Sequence, residues 1–350
     1  MELKNCLGIK VAGAGVCWPE DLLGDDAQFD NAAVYQHLLG EEWQQQLLAK
    51  GWDNQRPTQE FGVSARGWTN GTDIGSLELS IKAVENAMEL AGVDASQLDC
   101  IFSVTCTPHQ ITSTVSGKIA KALGSRAMSI DIRAGGAGAL DAMATAALYH
   151  NKGCRISVVV AGEVPSQYVG VHDLSNSLLF GDGAAAFVLV SDNTAEDSGL
   201  VAAVMGNADW QGKAFTVPVR LPPQQPVQPA DFIFQAPDAA YRQCLADSWQ
   251  KTADTLKRQL VDGGLELHAI LPYAVTRNQV LAAVEPFDAD CDASLSLLQN
   301  HGCIGCASPL AALVLHWLEN YKQGREQQGN LLGSMAVAGG ISWAALLWRL

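Results

Sequence analysis

A chain of 350 residues, 48% of them hydrophobic and only 17% charged, carries enough apolar side chain for one large core or two fused medium ones. Its 33 glycines and low charge set it apart from disordered and fibrous chains. A formal net charge of −15 argues against nucleic acid and anionic membrane as partners.

No uninterrupted apolar stretch reaches the roughly 18–20 residues of a membrane helix. The N-terminus, Met1-Glu2-Leu3-Lys4-Asn5-Cys6, lacks the basic and apolar regions of a signal peptide. A cytoplasmic location is therefore expected. The nine cysteines are scattered, and Cys303 and Cys306 form the only CxxC, with His301 beside it. No second CxxC or HxxxH completes a zinc pattern, so no metal is expected. Cys100 and Cys154, set in apolar runs, read as small buried hydrophobes in a reducing compartment.

In chain order, residues 9–16 read as a strand that ends at Cys17-Trp18-Pro19. Residues 76–92 read as an amphipathic helix with Leu77, Ile81, Val84, Met88 and Ala91 on one face. A buried strand is expected at 100–105, a helix at 113–123 and a short strand at 128–131. A small-residue helix follows at 138–150, then a strand at 155–162. Residues 211–237, rich in Pro and Gln, read as a long excursion outside the core. Regularity returns with a helix at 239–260, a strand at 268–271, a helix at 308–321 and strands at 331–338 and 341–348. Such alternation is the pattern of sheets with helices on their faces. The two halves also echo each other. The strand at 157–161 precedes Gly181-Asp182-Gly183 and the apolar run 184–190, while 333–338 leads into Gly339-Gly340 and 341–348.

Four segments resemble β-ketoacyl-ACP synthase III and its relatives in the thiolase superfamily. Glu60-Phe61-Gly62-Val63-Ser64-Ala65-Arg66 is similar to the family's Arg-Thr-Gly-Ile-x-x-Arg, and Phe180-Gly181-Asp182-Gly183-Ala184-Ala185-Ala186 to its Phe-Gly-Asp-Gly-Ala-Gly-Ala. Gly339-Gly340-Ile341-Ser342-Trp343-Ala344-Ala345 resembles Gly-Gly-x-x-Trp-Gly-Ala, and Asp131 to Gly138 stands where the family carries Asp-x-x-x-x-Cys-x-Gly. The resemblance implies an α/β thiolase fold: two pseudo-repeated halves, residues 1–192 and 193–350, in a five-layered αβαβα sandwich that dimerises.

The resemblance also implies where chemistry would sit. Family members acylate a Cys at a helix N-terminus, where the helix dipole favours thiolate, and a His and an Asn then stabilise the enolate of a decarboxylated malonyl thioester. Gly136 occupies the nucleophile position. Tyr273, in Leu271-Pro272-Tyr273-Ala274-Val275-Thr276, stands where the family reads His in x-Pro-His-Gln-Ala-Asn. Cys303, in His301-Gly302-Cys303-Ile304-Gly305-Cys306-Ala307-Ser308, stands for Asn in Tyr-Gly-Asn-Thr-Ser-Ala-Ala-Ser. None of the three reactive side chains is kept. Cys303 is either a small residue filling the space of Asn or a relocated nucleophile in the same pocket. Arg66 either contacts a CoA phosphate or forms a structural ion pair, while His109 and His301 are further candidates at the pocket or its rim.

Two functions follow from this reading. One is a non-catalytic partner of an active ketosynthase paralogue, as homodimer or heterodimer, with acyl carrier protein as a further partner. The other is an acyltransferase of altered chemistry that works through Cys303 or by proximity alone. Acyl-CoA or acyl-ACP is the expected ligand in either case, with no cofactor.

Overall fold

The computed structural model of the chain describes residues 1–170, 174–214, 216–217, 226, 228–325 and 327–350. In chain order the elements that build the body are β1 (Glu2–Leu7), β2 (Ile9–Cys17), α1 (Ser76–Ala91), β3 (Cys100–Val104), α2 (Val115–Leu123), β4 (Met128–Ile132), α3 (Gly138–His150), β5 (Ile156–Glu163), β6 (Gly183–Ser191) and β7 (Gly199–Asn207). They continue with α4 (Ala239–Gly263), β8 (Ala269–Ile270), α5 (Ser308–Lys322), β9 (Leu331–Ala338) and β10 (Ser342–Arg349).

The strands form two five-stranded sheets, ordered β2-β6-β5-β3-β4 and β1-β7-β10-β9-β8. In the first, β2/β6 and β6/β5 are antiparallel while β5/β3 and β3/β4 are parallel. In the second, β7/β10 and β10/β9 are antiparallel and β9/β8 parallel. The series β2-β6-β5-β3 thus recurs as β7-β10-β9-β8, with the same order and the same senses. The echo in the sequence is this duplicated topology. Each sheet then completes itself differently: β4 extends the first, whereas β1, from the N-terminus, pairs with β7 in the second.

Helices α3 and α5 lie between the sheets, and one core cluster joins Leu140, Met143, Leu310 and Val314 to residues of both. The side chains of α3 are small because both of its flanks are covered. Ala139, Ala142, Ala144, Ala146 and Ala147 are wholly buried, and its sequence shows only a narrow polar stripe of Asp141, Thr145 and Tyr149. On the outer faces, α1 and α2 cover the first sheet and α4 the second. The result is the expected five-layered αβαβα sandwich.

Helix α1 departs in one detail from the sequence reading. Its most deeply buried positions are Leu79, Ser80, Ala83, Val84 and Ala87, while Leu77, Ile81 and Ala91 are only partly buried. The cause lies in the strand beneath. A Cβ on Gly13 or Gly15 would come within 2.2 or 2.3 Å of a carbonyl oxygen of α1. Helix and strand therefore meet backbone to backbone, and the small residues of α1 turn inward.

A cap over one end of the sandwich comes from a stretch with no clear sequence pattern. Helices Asn31–Leu39 and Trp43–Ala49 and a ribbon of Gln28–Asp30 against Ala65–Gly67 enclose Val34, Tyr35, Leu47 and Trp68, together with Leu178, Phe180 and Cys303. Within the Pro- and Gln-rich excursion, the described residues form one short turn, Pro229–Phe232, and a bridge between Thr216 and Gln235. The rest of that expectation, residues 215, 218–225 and 227, lies outside the described residues.

Candidate functional site

A cavity of about 1080 Å³ opens where the ends of both sheets meet the loop before α3. Its walls come from Arg133 to Gly136 on that loop, Glu163 at the end of β5, Cys106 to Pro108 after β3, and Tyr273. Gly305 and Cys306 ahead of α5, and Ala338 to Gly340 in the β9–β10 turn, complete them. Phe232 and Phe234 from the excursion close one side.

Gly136 is buried just ahead of α3 and has no side chain to be acylated. The space beside it is taken. A Cβ built there would lie 2.7 Å from the Ala338 Cβ and 3.0 Å from Cε1 of Tyr273. Gly135, with φ of 54°, meets the carbonyl oxygen of Gly339 at 3.0 Å from its own Cβ position, so this turn holds the two sequence halves in close backbone contact. Tyr273 is pinned by its amide, which donates to the Met335 carbonyl at 2.8 Å. Burial pushes its phenol well above the usual tyrosine range, leaving a neutral hydroxyl that cannot serve as a base near neutral pH.

Cys303 belongs behind this wall, not in it. It is 1% exposed and absent from the cavity lining, with Sγ 4.0 Å from the Tyr273 hydroxyl and 3.9 Å from Oγ of Ser308. Burial raises its thiol to about 11. Of the two readings of Cys303, this placement disfavours the relocated nucleophile and agrees with a small residue that fills space. The ring of Tyr273 lies beside Gly136 and screens the thiol from the cavity.

The other anticipated residues also lie off the cavity. Arg66 is fully buried in the cap, where Nη2 donates to Oδ1 of Asn31 at 2.8 Å and to the Leu178 carbonyl at 2.9 Å. Burial lowers it to about 10. It makes no ion pair among the described residues, and its Nε and Nη1 have no hydrogen-bond partner there. Arg66 thus neither lines the cavity nor forms an ion pair among the described residues. It ties the cap to the Phe180 loop. His109 is exposed, with Nδ1 3.3 Å from where a Cβ on Gly75 would be. His301 stacks on Trp18 with ring centroids 3.7 Å apart, and burial lowers it to about 4, so its ring is neutral.

Three residues outside the anticipated site do line the cavity together: Cys106, Glu163 and Cys306. Their ligand atoms all lie within 4.8 Å of one another. Glu163 is 1% exposed. It accepts from the Cys106 amide at 2.7 Å, from the Thr107 hydroxyl and from the Cys306 thiol. Burial raises its carboxyl, against the pull of those donors. The hydrogen bond with Cys106, then burial, holds the Cys306 thiol well above the ordinary range. The CxxC signal pointed at Cys306, but with Cys303 as the wrong companion. A glutamate at the end of a buried strand is the one cue a sequence offers for the rest.

Asp182 of the Phe-Gly-Asp-Gly segment plays a different part. It is wholly buried and accepts from the amides of Thr69 and Ser166 and from both their hydroxyls. Burial raises it to about 6, and its work is to anchor the cap strand to the sandwich.

Residues 130–208 match the family model described as 3-oxoacyl-[acyl-carrier-protein (ACP)] synthase III. A β-ketoacyl-[acyl-carrier-protein] synthase III of Yersinia pseudotuberculosis is 25% identical over 281 residues, covering 80% of this chain and 85% of that protein. Over most of its length the chain is similar to the ketosynthase III family. Solved structures agree on the fold. The 3-oxoacyl-(acyl carrier protein) synthase III of Pseudomonas aeruginosa PAO1 superposes with a TM-score of 0.78 at 22% identity, over 97% of this chain and 98% of that one. The priming β-ketosynthase of the R1128 polyketide pathway gives 0.78 at 22% identity, over 99% and 98%. In this ketosynthase III-like chain, no cysteine faces the cavity from the α3 terminus, and the thiols that do face it stand beside Glu163.

Proposed function

We propose that this chain is a non-condensing ketosynthase III-like subunit that works beside an active ketosynthase paralogue in fatty acid, polyketide or related acyl-thioester metabolism. Gly136, Tyr273 and Cys303 are read as the positions of the family's Cys, His and Asn. The observation that carries the reading is the closure around Gly136. The nucleophile is not merely missing, since Tyr273 and Ala338 occupy the volume its side chain would need.

The cavity favours retained acyl-thioester contact, because a pocket of this size takes a drug-sized or acyl ligand without further opening. A partner subunit is favoured by β4, the outermost strand of its sheet. Its outer edge has no strand beside it among the described residues, and Met128 on it is 43% exposed. Such an edge is a template for pairing with a second chain. Acyl transfer through Cys303 is disfavoured by the tyrosine that screens it.

The test is intact-protein mass spectrometry after incubation with an acyl-CoA panel, run with a condensation assay on malonyl-ACP. The chain alone is expected to give neither adduct nor product. Co-expressed with a ketosynthase III that keeps its Cys, it is expected to co-purify as a stoichiometric pair. Product formation by the chain alone, or an adduct on Cys303, would sink the reading.

A further inference from the structure

Glu163 is a buried carboxylate without a cation. Among the described residues it makes no ion pair, and the nearest basic side chain on the wall, Arg133, spends its guanidinium on the Cys106 carbonyl at 3.3 Å. A carboxyl buried in this way favours its neutral form unless a counter-charge or a metal joins it. What surrounds this carboxylate is a pair of thiols, Cys106 and Cys306, which are soft ligands suited to zinc-class ions.

From Cys106, Glu163 and Cys306 we infer a mononuclear site for a thiophilic divalent cation of the zinc class, set in the cavity wall. The ligand atoms lie within 4.8 Å of one another. Around a tetrahedral ion at about 2.0–2.3 Å from each ligand, they would be about 3.3–3.8 Å apart.

Each ligand stands on a fixed element. Glu163 ends β5, which is buried along nearly its whole length. Cys106 follows β3, its amide held by Glu163 itself. Cys306 sits in the turn that opens α5, after Gly305, whose φ of 55° admits no ordinary side chain cheaply. The family motif carries Ala at the position of Cys306, so the second thiol is a property of this chain. Thr107 donates its hydroxyl to the other carboxylate oxygen, the outer support that orients metal-binding carboxylates. Without metal, the thiol of Cys306 holds its own proton against Glu163. Cys106 holds its thiol proton as well, so the ion replaces the protons of both thiols and uptake releases them to solvent.

All three ligands line the cavity, so the ion's remaining coordination position faces it. Three protein ligands and one open position is the pattern of a site that takes water or a substrate oxygen. A carbonyl oxygen of an acyl thioester fits that position, which is where this inference rests on the proposed acyl ligand. The metal site itself does not depend on the partner-subunit reading.

The full chain, stripped with chelator and kept reduced and anaerobic, is titrated with Co²⁺ and then Zn²⁺. Stoichiometric uptake with intense thiolate-to-cobalt absorption, displaced by Zn²⁺, is expected. Cys306→Ala and Cys106→Ser should each abolish that absorption, and Glu163→Gln should weaken binding at least about tenfold. Cys303→Ala should leave it unchanged. Near-UV circular dichroism of each variant checks that the fold is kept. No uptake by the native chain, or uptake that survives both cysteine substitutions, overturns the site. Co-purification of Cys306→Ala with a ketosynthase, read separately, shows whether the subunit reading stands without it.

Discussion

At the scale of single residues, the cavity wall is decided by contacts of a few ångströms. Because a Cβ at 136 would press on Tyr273 and Ala338, Gly136→Ala should cost about 1–3 kcal/mol through overpacking. Urea unfolding measures this, and an unchanged midpoint would mean the wall is loose. Gly136→Cys alone should likewise fail to give condensation, since the new thiol meets an aromatic ring instead of a base. A second residue-scale consequence concerns pH. His150 is buried with its two ring nitrogens on Ser157 and Ser191, and burial lowers it from 6.5 to about 4. Between those values the unfolded chain binds a proton that the folded chain refuses. The contribution of His150 is therefore intact above pH 6.5 and is lost as pH falls toward 4, by at most about 1.4 kcal/mol per unit. Stability curves of the native chain and His150→Gln should converge as the pH drops through this window. Parallel curves would show that the histidine is not kept neutral.

At the scale of elements, β4 is the informative case. Its inner edge pairs in parallel with β3 over five residues, while its outer edge has no neighbour among the described residues. A half-exposed apolar strand at the rim of a sheet is a liability unless another chain covers it. Charges on the strand should then block assembly and leave the fold intact. Met128→Lys with Ile130→Lys is expected to convert the assembled species to monomer in light scattering, with unchanged far-UV circular dichroism. An assembly that persists would place the interface elsewhere.

At the scale of the whole molecule, the two pseudo-repeats share one interior. Helices α3 and α5 are each packed against strands of both sheets within a single cluster, and β1 carries the N-terminus into the second sheet. Neither half can keep its core after losing the other. The 1–192 and 193–350 halves should therefore unfold together, with fluorescence and circular dichroism giving coincident urea transitions. Expressed separately, each should remain unfolded. Two resolved transitions would show that the shared layer contributes less than its burial implies.

How much of this was legible depended on the range of the interactions involved. Nearly every layer-forming element could be read from local periodicity: 138–150 as a small-residue helix, 331–338 as a strand, and the Gly-containing turns that feed β6 and β10. The strands β1 and β7 and the cap helices carried weaker local patterns, because their partners are distant in sequence. The reading of 136, 273 and 303 as the positions of the family's Cys, His and Asn rested on their motifs alone.

Which of these residues share a surface could not be read locally. Cys303 and Cys306 are neighbours in the chain, yet one lies behind Tyr273 and the other opens on the cavity beside Glu163. The orientation of the turn before α5 and the packing of β5 against it make that division, and both arise when the two halves close on each other. The sequence alone determined the alternation of strands and helices, since periodicity is a local property, while the layering and the reading of positions 136, 273 and 303 came through motifs that resemble a family's. Only the tertiary structure decided that Gly136 is walled in and that Cys106, Glu163 and Cys306 meet, because those contacts join chain segments up to about two hundred residues apart.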